Sequence, residues 1–221
     1  MFDINFPERP KTSLKLYEYE GHWKESGQVY REEKLLTGDV WDAYADGYLE
    51  AVGKLIINVE DNEFFHDTFG YPIFFLFYHY LEIRMKEIIK NGRDLIDEPP
   101  NFSKGHDLIQ LWGECKRILK KLEGWTEYNE LDDETRRNYL TIDHFIKEIG
   151  IDNYAQSFRY PVDRDGNPLL SSQQIQTLNV HNLAIVVKWL SFLLEGISTG
   201  IDEERKNKRE ISAENFFEGL S

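Results

Sequence analysis

Apolar residues recur at three- and four-residue spacing along most of the chain after residue 39. That is the period of helices with one buried side. Trp41, Tyr44, Tyr48, Val52 and Ile56 predict a helix from Asp39, an N-cap residue, to about Val59. Phe74, Phe77, Leu81, Met85 and Ile88 predict a second, opened near Pro72 and stopped by Asn91-Gly92. Pro99-Pro100 marks a loop. A third helix is expected from about His106 to Leu122, stopped by Gly124, and a fourth from near Asp132, with Asp133 and Glu134 in its first turn, to Gly150. Residues 151 to 171 hold Pro161, Asp165-Gly166-Asn167 and Pro168 and read as a long irregular insert. Ser172 opens the last helix, which reaches Glu195 and stops at Gly196. Before residue 39 the period changes. Ser13-Leu14-Lys15-Leu16-Tyr17-Glu18-Tyr19-Glu20 alternates as a half-buried strand does, and residues 28–36 offer a return strand. The expected fold is therefore all-α. A bundle of about five helices over 39–197 follows an extended or hairpin arm over 1–38, and a charged tail over 198–221 carries one apolar patch, Phe216-Phe217.

The second helix carries the first candidate chemistry. At about 100° per residue, His79, Glu82 and Lys86 cluster within about 60° of one another, opposite the apolar stripe. Phe75 and Ile83 share their side, so the first half of this helix is apolar nearly all round and belongs in the middle of the bundle. Buried charges cost several kcal/mol unless paired. The row is either a structural set that pairs internally, the simpler reading, or the floor of a ligand pocket.

Three short stretches add to this. Phe77-Tyr78-His79-Tyr80-Leu81-Glu82-Ile83-Arg84-Met85-Lys86 has the form His-x-Leu-Glu-x-x-x-Lys, followed by Gly105-His106-Asp107-Leu108 and, far downstream, Phe158-Arg159-Tyr160-Pro161. Over roughly residues 40 to 195 this order resembles a divergent bacterial branch of the HEPN superfamily (higher eukaryotes and prokaryotes nucleotide-binding). The resemblance implies a helical bundle, a homodimer and one of two kinds of function. One is a metal-independent endoribonuclease of a toxin–antitoxin or phage-defence system, with RNA as substrate and an antitoxin or other protein as partner. The other is a non-catalytic nucleotide-binding or protein-interaction module. The active branch is marked by Arg-x4–6-His, and Arg137-Asn138-x5-His144 matches it. An Arg there would hold the scissile phosphate, and a His would move the 2′-hydroxyl proton. Yet Arg137 and His144 share their helix face with Thr141 and Glu148, which reads as an ordinary solvated face and places a carboxylate where a phosphate would lie. Arg159, between two aromatics, is expected to pair with Glu82 inside the bundle or to bind an anion. Asp107 complements a helix N-terminus, and His106 beside it could face the His79 row.

Composition narrows the classes. The 221 residues suffice for one sizeable core, and 41% hydrophobic content is too high for disorder. Lys and Arg total 26 against 40 Asp and Glu, a formal charge of −14, which argues against a broad nucleic-acid or membrane surface while leaving room for a small basic pocket. No apolar run reaches the roughly 18 residues of a membrane span, and Met1 to Pro10 lacks a signal-peptide layout. Cys115 is the sole cysteine, which excludes an intrachain disulfide and Cys-based zinc clusters and fits a cytoplasmic location. Neither Gly-x4-Gly-Lys-Ser/Thr nor Gly-x-Gly-x-x-Gly is present, so no cofactor is expected. Glu63-x-x-His66 lacks the second copy a di-metal bundle needs, and Asp163-Arg164-Asp165-Gly166-Asn167 reads as a turn rather than a calcium loop. No metal is expected.

Overall fold

The structure, a computed structural model, describes residues 40–61, 66–101, 105–150, 156–169 and 179–218. Six α-helices run in the order α1 (Val40–Asp61), α2 (His66–Leu95), α3 (Leu108–Glu123), α4 (Asp133–Ile149), α5 (Gln156–Arg159) and α6 (Val180–Glu218), with a 3-10 turn over Tyr128–Glu130. No strand occurs among the described residues. The expected arm over 1–38, the Asp39 cap and Glu63 lie outside them.

As the stripe predicts, α2 is the central helix, packing against α1, α3, α5 and α6. Ile73, Phe77, Tyr80, Leu81, Met85, Ile88 and Ile89 are all fully buried along it. The α3 and α4 boundaries follow their caps. Asp107 accepts from the backbone N–H of Ile109 and Gln110, and Asp132 from those of Glu134 and Thr135. Gly124 closes α3 in the left-handed region at φ 74°, and Gly150 closes α4. Asp163 Oδ1 accepts from the N–H groups of Asp165 and Asn167, the local bonding of a turn.

Three expected boundaries are corrected. The second helix begins at His66, so Pro72 lies inside it rather than in its first turn. Its far end passes Asn91-Gly92 and reaches Leu95. Gly92 serves packing there, because a Cβ on it would meet Ile118 Cγ2 of α3 at 2.6 Å. The last helix runs from Val180, where Asn179 Oδ1 accepts from Asn182 N–H, and Ser172, its expected first residue, lies outside the described residues. It then continues through Gly196 to Glu218, across the expected tail boundary at 197. Its contacts carry it past the glycine. Leu194, Ser198 and Ile201 prolong the buried side, and Arg205 and Lys208 bond to Asp94 and Asp97 at the end of α2. This helix also holds an 18-residue window of mean hydropathy 1.5, long and apolar enough to cross a bilayer by length and composition. In the bundle, Leu183, Val187, Leu190 and Leu194 spend that hydrophobicity on the core, while Ile185 and Phe192 are exposed.

Candidate functional site

On α2, Glu82 is the centre of the polar row. Lys86 Nζ donates to Glu82 Oε1 at 2.7 Å, and His106 Nδ1 approaches the same oxygen at 2.7 Å. His79 Nδ1 lies 3.9 Å from Glu82 Oε2. Glu82 and Lys86 are buried, His79 is half-buried and the His106 side chain is exposed. His106 reaches this position because Asp107 caps α3 immediately after it and because Tyr78 Oη donates to the His106 carbonyl at 2.9 Å.

α5 delivers the last member. Phe158 is buried and stacks on Phe74 of α2, with ring centroids 3.9 Å apart. That contact docks the Phe-Arg-Tyr-Pro stretch on α2 and places the Arg159 guanidinium over the rings of Phe75 (5.6 Å) and Tyr160 (5.2 Å). Arg159 therefore does not pair with Glu82 inside the bundle. It is exposed, and no carboxylate among the described residues pairs with it. Glu82 already has Lys86 and His106, and the Phe75 and Tyr160 faces hold the guanidinium at the surface.

His79 reports how close these charges are. Tyr48 meets its ring edge-on at 4.5 Å, and burial pushes its pKa below 6.5. Glu82 opposes that shift, while the charges of Lys86, His106 and Arg159 add to it. The five predicted ligand-binding residues, His79, Glu82, Lys86, His106 and Arg159, thus occupy one region built from α2, the start of α3, and α5. Glu82 meets an ammonium and two imidazoles, and the Arg159 guanidinium lies near enough to His79 to act on its charge, on a chain of net charge −14. A surface guanidinium has the geometry to contact an anion, and a carboxylate-held imidazole beside it can exchange a proton.

The predicted catalytic pair lies elsewhere. Arg137 and His144 are exposed on the outer side of α4. His144 Nε2 is 3.6 Å from Glu148 Oε2, the pairing the solvated-face reading gives, and the Arg137 carbonyl accepts from Thr141 Oγ1. Cys115 is fully buried and burial pushes its thiol pKa well up, so it offers no nucleophile.

Sequence reasoning missed a second polar set on the opposite side of α2. Arg84 is 1% exposed, yet its Nη1 donates to Asp42 of α1 at 2.6 Å and to Glu87 at 2.5 Å. Its Nη2 lies 2.9 Å from Glu195 of α6, which also accepts from Tyr80 Oη at 2.8 Å. Burial pushes Glu87 up to about 7, with Arg84 pulling the other way and Asp42 reinforcing the rise. The available signal was spacing, since Arg84, Glu87 and Asn91 repeat the i, i+3, i+7 pattern of His79, Glu82 and Lys86.

Comparison with family models, curated proteins and solved structures returns no match.

Proposed function

We propose that this protein is a HEPN-like helical module that recognises the phosphate of a nucleotide or of RNA at His79, Glu82, Lys86, His106 and Arg159. The observation that carries the reading is their convergence. Three stretches far apart in sequence, on α2, before α3 and in α5, meet in one polar patch whose exposed guanidinium is Arg159, on an acidic protein. Arg159 is held on aromatic faces, ready for bidentate contact with a phosphate.

The endoribonuclease reading within a bacterial toxin or phage-defence system is supported by Arg137 and His144 sharing one exposed face of α4. It requires a second copy of the chain to bring two such faces together and to displace Glu148 from His144. Expression in cells separates the readings. Growth arrest with RNA cleavage that Arg137→Ala and His144→Ala abolish supports the ribonuclease. RNA or nucleotide binding lost with Arg159→Ala and kept with Arg137→Ala supports recognition at the α2 patch. Binding that neither change affects rejects both.

A further inference from the structure

A pocket of about 270 Å³ beside α6 is lined by Asp42, Glu195, Ser198 and Asp202, among others. Glu87 of α2 lies buried behind Ser198, whose Oγ donates to Glu87 Oε1 at 3.1 Å. One oxygen each from Asp42, Glu87 and Asp202, on three different helices, lies within 4.8 Å of the others. Carboxylates brought so close repel unless a cation joins them. Arg84 supplies one positive charge to Asp42 and Glu87, and Arg205, 3.2 Å from Asp202, is shared with Asp94.

A second observation is independent of the acids. Asn91 is 1% exposed and its Nδ2 donates to Asp202 Oδ1 at 3.1 Å, which sets its amide end against the cluster. Its Oδ1 is buried and has no hydrogen-bond partner among the described residues. Buried acceptors are seldom left unmet. Next to Asp202, this acceptor would be met by a cation that the carboxylates hold.

We propose that Asp42, Glu87, Asp202 and Asn91 Oδ1 bind a hard divalent cation of the magnesium or calcium class. The donors are all oxygen, with no imidazole or thiolate, which is the preference of such ions. The pocket leaves room for water to complete the coordination shell. Arg84 remains beside the ion as a second counter-charge, and the ion ties α1 and α6 to α2.

The test is a titration of the full chain with Mn²⁺, read by electron paramagnetic resonance, with Mg²⁺ and Ca²⁺ as competitors. One saturable site per chain is expected, displaced by Mg²⁺ or Ca²⁺. Asp42→Asn and Asp202→Asn change partly exposed groups and should each weaken binding about tenfold or more. Asp133→Asn removes an exposed carboxylate from α4 and should leave binding unchanged. For the wild type alone, thermal unfolding should shift upward in Mn²⁺ relative to NaCl of equal ionic strength, a readout that stands if a variant fails to fold. Absence of a saturable site in the wild type overturns the proposal. So does equal weakening by Asp133→Asn, which would mark diffuse attraction to an acidic surface.

Discussion

Arg84 joins three helices through its guanidinium, and its loss would strand Glu87 without its cation in a fully buried position. Breaking such a pair costs about 3–5 kcal/mol, because the remaining charge is buried and uncompensated. With divalent cations removed by a chelator, Arg84→Ala should therefore lose about that much in denaturant unfolding, and adding Glu87→Gln should recover part of it. Equal instability of the single and double variants would place the loss in packing instead. His79 gives a prediction about pH. The unfolded chain takes up its proton near 6.5 and the folded protein only at lower pH, so the unfolded state binds more protons in between. The His79 contribution to stability is full above 6.5 and is lost as pH falls from 6.5 through the folded value. A resolved imidazole titration by nuclear magnetic resonance should give a midpoint below 6.5, and His79→Gln should flatten that part of the stability profile. A midpoint above 6.5 would contradict the burial of the ring. The Glu82 row was legible because spacing put its members on one side of a helix. Arg84 was not, because it lies at the edge of the apolar stripe and its partners Asp42 and Glu195 come from helices whose placement spacing alone does not give.

Among the elements, glycines mark where local rules yield to packing. Gly92 and Gly196 both read as helix stops in sequence, and both lie inside helices. Their surroundings differ. A methyl on Gly92 would run into Ile118, whereas a methyl on Gly196 meets nothing within 4 Å. Gly92→Ala should destabilise by about 1–3 kcal/mol through overpacking. Gly196→Ala should stabilise by about 0.5–1 kcal/mol by lowering the entropy of the unfolded chain. Opposite shifts in the denaturation midpoint would support both assignments, and a gain at Gly92 would contradict the close crossing of α2 and α3. Caps were readable where they are purely local, at Asp107, Asp132, Gly124 and Gly150. The run of α6 past Gly196 was not readable, because what sustains it is contact with residues more than a hundred positions away, Arg205 with Asp94 and Lys208 with Asp97.

For the whole molecule, a formal charge of −14 opposes any phosphate that approaches the α2–α3–α5 patch. A ligand phosphate must be drawn in by local groups against a repulsive background, so affinity should depend on Arg159 far more than stability does. The dimer that the family resemblance implies is a separate matter, and sedimentation at micromolar concentration should give about twice the chain mass if the Arg137–His144 faces meet across two copies. A strict monomer would remove most of the ribonuclease case and leave the patch untouched. The most direct test of phosphate recognition is fluorescence anisotropy of a labelled single-stranded RNA, with inorganic phosphate as competitor, on the wild type and on Arg159→Ala. The account predicts saturable binding that phosphate displaces, weakened about tenfold or more by the substitution, while the variant's stability stays within about 1 kcal/mol of the wild type, as for a surface residue. Equal affinity of the two proteins for the RNA, or no binding by the wild type, would contradict it.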